Sequence, residues 1–209
     1  IVAHGYPYFT LVGGQFLSEG EADVVRPRGA DFEVVARVAL RQWRELAQRG
    51  VQQCCIVFMD LDHFKQVNDQ HGHQVGDEVL KGVVRHLNQH LRPYDKVYRY
   101  GGDEFLIALP GADLAIGQAV IKRVREELAR RPLAAGHDGA ALPVSASFGL
   151  ALLDPAIRAE EAIERADQAL LLAKTAGRNS AISWDSTVTT GTRLPRLQID
   201  DPALLASLG

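Results

Sequence analysis

The feature that most constrains this chain is the apolar run CCIVFM, Cys54 to Met59, which ends abruptly in Asp60-Leu61-Asp62. The wider segment from Val51 to Met59 is β-branched and apolar without alternation, the pattern of a strand buried on both faces. CCIVFM, at six residues, is the longest uninterrupted apolar run in the sequence. A membrane-crossing helix takes roughly 18 or more such residues, so the run reads as a core strand and no segment here spans a bilayer. The 209 residues, 46% hydrophobic and 23% charged, suffice for one domain with a real core plus appendages and exclude disorder throughout. A net charge of -3 argues against a broad surface for a nucleic-acid polymer while leaving room for a local phosphate pocket. Cys54 and Cys55 are the only cysteines. Neighbours in sequence do not form an ordinary disulfide, and no C-x-x-C pair exists for zinc, so both read as packing residues. The chain begins with Ile and carries no signal segment, so it reads as a piece of a longer, cytoplasmic protein.

Periodicity and breakers divide the remainder. Residues 1–22 are glycine-rich with scattered aromatics and read as an N-terminal extension or the remnant of an upstream element. Phe32, Val35, Val38, Ala39, Trp43 and Leu46 recur at helical spacing between Asp31 and Gln48, and Gly50 closes that helix. After the core strand come a short helix or turn at Phe64–Asp69 and breaks at Gly72 and Gly76. Asp77 then reads as the cap of a long helix with Val79, Leu80, Val83, Val84, Leu87 and Leu91 on one face, ended by Pro93. Lys96–Tyr100 and Glu104–Leu109 flank Gly101-Gly102 as a hairpin. A helix from about Asp113 to Arg130 turns Leu114, Val120, Val124 and Leu128 inward. Pro143–Leu153 is a strand, Glu160–Thr175 a helix, and Ala181–Trp184 a last short strand. The tail, residues 186–209, turns to Ser, Thr, Pro and Gly and reads as loosely ordered. Strand, helix, hairpin, helix, strand is the split βαβ order, which predicts a ferredoxin-like α+β domain with helices packed on one side of a mixed sheet.

The chemistry concentrates at strand ends. Side chains at 60 and 62 project to one side if the strand continues. A second acidic pair, Asp103-Glu104, stands at the tip of the hairpin, and in a split βαβ sheet the two acidic pairs can meet. Clustered carboxylates repel unless a cation fills the gap, and oxygen donors suit Mg²⁺, which keeps part of its shell for water and phosphate. Gly101 and Gly102 let a ligand approach the main chain. Lys65, Lys174 and Arg178 supply cations suited to a triphosphate, and Lys174 and Arg178, four apart at a helix C-terminus, share a face if the last turn holds. Together these residues describe a phosphoryl- or nucleotidyl-transfer site.

At this point a family resemblance is visible. RYGGDEF, Arg99–Phe105, resembles the signature of GGDEF-domain diguanylate cyclases. MDLDHFKQVNDQHGHQVGDEVL, Met59–Leu80, is similar to the family's Asp-x-Asp-x-Phe-Lys-x-x-Asn-Asp segment, and AKTAGRN, Ala173–Asn179, to its Lys-x-x-Gly-Arg-Asn. The resemblance implies a domain over residues 23–185 with a nucleotidyl-cyclase palm, a central mixed sheet flanked by helices. It implies that two GTP molecules condense into cyclic di-GMP and two pyrophosphates across a homodimer under an upstream sensor domain. It implies Mg²⁺, with Mn²⁺ as a substitute, held by Asp60, Asp103 and the Leu61 carbonyl, with Asp103 and Glu104 as the catalytic signature acids. Asn68 and Asp77 would read the guanine edge; Gly101, Gly102, Lys65, Lys174 and Arg178 would hold the phosphates. Arg92-Pro93-Tyr94-Asp95 resembles the family's Arg-x-x-Asp product-inhibition site, to which Arg123 would add a further arginine.

One segment departs from the pattern. Where the family usually reads Asp-x-Leu-Thr-Gly-Leu-x-Asn-Arg, this chain reads DVVRPRGAD, Asp23–Asp31. That departure supports a competing expectation: a catalytically impaired GGDEF domain serving as a receptor for cyclic di-GMP or GTP. His71 and His73, on either side of Gly72, read as turn residues, and Tyr98, Tyr100 and Trp184 as packing.

Overall fold

The computed structural model describes residues 10–12, 15–17, 53–136, 139–153, 156–184 and 197–199. The helix expected at 31–48 and the departing segment Asp23–Asp31 lie outside them. The described elements, in chain order, are β1 (Thr10–Val12), β2 (Gln15–Leu17), β3 (Cys54–Leu61), α1 (Phe64–His90), β4 (Lys96–Arg99), β5 (Glu104–Pro110) and α2 (Leu114–Arg130). There follow β6 (Ala134–Ala135), β7 (Ala141–Leu142), β8 (Ala146–Leu152), α3 (Ala159–Thr175), β9 (Ala181–Trp184) and β10 (Leu197–Ile199).

The main sheet has the order β10-β9-β8-β3-β5-β4-β1-β2, and β6 pairs with β7 in a small separate ladder. Its centre, β8-β3-β5-β4, is the antiparallel split βαβ core. Beyond it, β9 joins β8 in parallel after the α3 crossover, and β1 joins β4 in parallel, so the whole sheet is mixed. Within the tail expected to be loosely ordered, Leu197–Ile199 pairs antiparallel with β9.

The period of two along β3 divides the core. Cys55, Val57, Met59 and Leu61 face a cluster with Val83 and Leu87 of α1 and Ile121, Val124 and Leu128 of α2. Cys54, Ile56 and Phe58 face the other way, against Ala162, Ile163, Ala166 and Leu170 of α3. Helices therefore flank the sheet on both faces. The one-sided packing expected from the split βαβ order holds for α1 and α2 only, because the parallel β8-α3-β9 crossover carries its helix across the opposite face. Every residue of β3 is buried. Burying each such large apolar side chain stabilises by roughly 1.5–3 kcal/mol, which explains the absence of alternation. Cys54 and Cys55 are free and buried, and burial raises both thiols, Cys54 to about 12.

Several local expectations shift. Gly76 does not break the chain and Asp77 does not cap a helix: α1 is kinked once, at Gly72 (φ 79°, ψ 162°), and runs through both. Gly76 is instead a contact glycine, since a Cβ there would lie 2.0 Å from the Asn68 Oδ1. In α2 the buried positions are Gly117, Ile121, Val124 and Leu128, whereas Leu114 and Val120 are only partly covered. Asp113 caps this helix by accepting from the Ile116 N–H at 2.8 Å. Gly149 of β8 lets the sheet approach α3 backbone to backbone, because a Cβ there would fall 2.0 Å from the Ala166 carbonyl and 2.2 Å from the Leu170 nitrogen.

Candidate active site

β3 continues through Asp60 to Leu61, so the alternation that turns Phe58 toward α3 turns Asp60 the same way. On β5, Leu106 and Ala108 share that face, which places Glu104 on it as well. The register pairs Asp60 directly with Glu104, and the Leu61 N–H donates to the Asp103 carbonyl at 3.3 Å. The two acidic pairs, more than forty positions apart in sequence, thus meet at one end of two adjacent strands.

The electrostatics of this strand end follow from burial and from like charge. Burial raises the Asp60 carboxyl above the usual carboxylate range; hydrogen bonding to Lys174 opposes the rise and the Asp103 charge adds to it. Burial also raises Glu104, with Asp60 and Asp103 pushing the same way. Lys174, in the last turn of α3, reaches the Asp60 Oδ2 at 2.8 Å, the one cation in direct contact with these acids among the described residues. The donors on offer are all oxygens. In an extended strand the N–H and C=O of one residue point to the same edge, so the Leu61 carbonyl faces Asp103 as its N–H does. Among the described residues no three acidic, histidine or cysteine side chains form a ready-made metal cage. Two carboxylates and one carbonyl match the open, partly hydrated coordination of Mg²⁺.

The hairpin tip is held by a residue to which the sequence reading assigned no role. Arg99 donates through Nε to the carbonyls of Gly101 and Gly102, each at 3.1 Å, and through Nη2 to Gly102. A Cβ on Gly101 would meet the Glu104 Oε2 at 2.4 Å, whereas one on Gly102 would meet nothing within 4 Å. A side chain at the first glycine would therefore displace the Glu104 carboxylate from its place beside the tip, and the second glycine leaves its outer side open.

The other expected residues distribute as follows. Lys65 is exposed in the first turn of α1, two positions after the left-handed His63 (φ 59°). Asn68 lies against Gly76, next to Asp77, so the kink at Gly72 folds these two candidates for guanine recognition together. Lys174 and Arg178 do not share a helical face. α3 ends at Thr175, and Arg178 sits beyond Gly177 with φ 67°, its N–H donating to the Ala173 carbonyl at 3.0 Å.

In sequence Asp62 is no more than a companion of Asp60. It is buried, with its carboxylate accepting from Ser145 Oγ and Ser147 Oγ, each at 2.7 Å, and from the Asn179 N–H at 3.0 Å. The sequence signal for it is the second acid of Asp-x-Asp; its partners are too distant in the chain for any local pattern to reveal.

A second cluster lies at the far end of α1. The Arg92 N–H donates to Asp95 Oδ2 at 2.8 Å, and Arg92 Nη1 donates to the Tyr94 hydroxyl at 3.1 Å. Arg123 reaches over from α2 to the His90 carbonyl at 2.7 Å. Burial raises the Asp95 carboxyl, against the bond from the Arg92 N–H and the charges of Arg92, Lys96 and Arg123. The three residues expected at the inhibitory site are therefore neighbours.

The sheet and its acidic strand end define an α+β palm of the nucleotidyl-cyclase type. The profile described as "Diguanylate cyclase, GGDEF domain" matches residues 35–180, and the chain belongs to the GGDEF family. It is 39% identical over 124 residues to the diguanylate cyclase DgcP of Pseudomonas aeruginosa, covering 59% of this chain and 18% of that protein. It is 35% identical over 133 residues to DosC of Escherichia coli, covering 64% and 29%. The chain thus spans less than a third of these curated relatives. Among solved structures, SiaD of P. aeruginosa, crystallised with its activator SiaC, superposes with a TM-score of 0.68 at 37% identity, covering 72% of this chain and 57% of SiaD. The GGDEF domain of Caulobacter crescentus DgcB, crystallised with c-di-GMP, superposes with a TM-score of 0.68 at 28% identity, covering 73% and 89%. No helix among the described residues is long and apolar enough to cross a membrane.

Proposed function

We propose that this chain is a diguanylate cyclase. The observation that carries the reading is the β3/β5 register, which sets Asp60 opposite Glu104 and bonds Leu61 to Asp103. In the reaction, the 3′-hydroxyl of each of two GTP molecules attacks the α-phosphorus of the other. Two phosphodiester bonds form, two pyrophosphates leave, and cyclic di-GMP remains. Mg²⁺, or Mn²⁺ in its place, would be held by Asp60, Asp103 and the Leu61 carbonyl, and when bound supplies charge neutralisation at the phosphates and a more acidic hydroxyl. Glu104 adds a further carboxylate beside these donors. Lys174 pairs with Asp60 at 2.8 Å and would supply a cation to the phosphates from that position. Lys65 and Arg178 are further phosphate cations, and Gly102 leaves the hairpin tip open to the triphosphate. Asn68, seated on Gly76 beside Asp77, offers an amide and a carboxylate to the guanine edge. One chain supplies one such site, so catalysis takes two chains face to face.

Arg92, Asp95 and Arg123 form the product-inhibition site in this reading, with the arginine forks meeting phosphate or guanine and Asp95 accepting from guanine N–H groups. The test is incubation of the purified chain with GTP and Mg²⁺, followed by chromatography. Cyclic di-GMP and pyrophosphate in a one-to-two ratio are expected, with none after chelation. Asp103→Asn keeps the fold and lowers turnover by about 100-fold or more, the order seen when a transition-state charge stabiliser is removed. Full turnover in that variant would remove the metal assignment.

The altered segment DVVRPRGAD favours a second reading, a catalytically impaired receptor for cyclic di-GMP or GTP. Calorimetric binding of either nucleotide with no turnover would select it.

A further inference from the structure

We infer that Asp62 is a positioning residue that fixes the arginine-bearing turn 177–179 against the strand end carrying Asp60 and Leu61. The inference rests on the reading of Arg178 as a phosphate contact.

Asp62 follows β3 directly, and its own N–H is tied to the Ser145 carbonyl at 2.9 Å. Its side chain gathers three donors from two places far along the chain: the hydroxyls of Ser145 and Ser147 at the start of β8, and the Asn179 N–H. A buried carboxylate with every contact a donor is satisfied without touching a ligand, so its effect on chemistry is indirect.

The turn needs such a clamp. Gly177, Arg178 and Asn179 are consecutive residues with positive φ (116°, 67° and 43°), a region that glycine and asparagine tolerate and that the Arg178 side chain disfavours. A strained turn persists only where its surroundings over-determine it. Here the Arg178 N–H is held by the Ala173 carbonyl, the Asn179 N–H by Asp62, and the Asn179 carbonyl by Arg125. The Ala173 and Arg125 contacts come from α3 and α2. Asp62 is the contact that refers the turn to β3, where the acids stand. Without it, Arg178 keeps its conformation less well and loses its register with Asp60 and the Leu61 carbonyl.

The test is a double-variant cycle read by calorimetric binding of a non-hydrolysable GTP analogue with Mg²⁺, alongside cyclic di-GMP binding as a measure of fold. Asp62→Ala is expected to raise the Kd for the analogue about tenfold, the effect of losing one charge-assisted hydrogen bond. Asp62→Asn retains an acceptor for the Asn179 N–H and is expected to raise it only about threefold, since the neutral bond is roughly half as strong. In an Arg178→Ala background neither substitution should weaken binding further, because both act through the same contact. Additive losses, or unchanged affinity in Asp62→Ala, would overturn the positioning role. If Asp62→Ala loses cyclic di-GMP binding as well, the Asp62→Asn arm decides: weaker analogue binding when Arg178 is intact, with no further weakening in Arg178→Ala, supports clamping, and unchanged affinity refutes it. A parent chain that fails to bind the analogue at all would instead count against the GTP site itself.

Discussion

At the scale of single residues, the acids at the β3/β5 end act against the fold as well as for the site. Glu104 is held above its ordinary value of 4.5 by burial and by Asp60 and Asp103. The folded chain therefore keeps this proton to a higher pH than the unfolded chain does. The stability it contributes is complete below the unfolded value and is lost as pH rises through the folded one. Glu104→Gln removes that cost, so it is expected to melt higher than the parent at pH 7, with the difference closing at pH 4. Thermal scans at the two pH values check this; coincident curves at both would show that Glu104 carries no such penalty. At the second cluster, Arg92 is bonded to Asp95 and Tyr94 across an exposed turn. Arg92→Ala is expected to weaken cyclic di-GMP binding by about tenfold or more, the scale of a charged hydrogen bond, with GTP turnover retained and less inhibited by product. Equal inhibition curves for variant and parent would rule out the assigned site.

At the scale of elements, packing sets the tolerances. Gly149 lets β8 and α3 touch backbone to backbone. In Gly149→Ala the added methyl meets a carbonyl and an amide, neither of which can rotate away, so a loss of roughly 1–3 kcal/mol or more is expected. Denaturant unfolding measures it, and a midpoint equal to the parent's would mean that α3 can shift outward freely. Element identities were largely legible, because an uninterrupted apolar run, a glycine pair between β-rich runs and a 3.6-residue period are local signals. Element ends were less so. Gly76 resembles a helix breaker in sequence, yet it lies inside α1 because the space its missing Cβ leaves is filled by Asn68. The spacing of Lys174 and Arg178 suggests one helical face, yet α3 stops at Thr175 and Gly177 opens a turn with positive φ.

At the scale of the whole molecule, the sheet joins the proposed active-site end, built from β3, β5 and α3, to the proposed product site, built from the end of α1, the start of β4 and α2. If each chain holds one GTP, two chains must meet for one product to form. Turnover per chain is then expected to rise with protein concentration and to level off once dimers dominate. A specific activity unchanged over a hundredfold dilution would contradict catalysis between chains.

What the sequence by itself determined is whatever short range and residue type control: the buried β3 run, the hairpin glycines, the signature acids and the Arg92–Asp95 turn. The tertiary structure alone decided which groups share a face and which distant donors a carboxylate meets. The helix covering the second face of the sheet follows from the β8-α3-β9 crossover, and the partners of Asp62 lie 83, 85 and 117 positions away. Hydrogen bonds over such separations form only after the sheet has closed the intervening chain, so they leave no periodicity in the residues that make them.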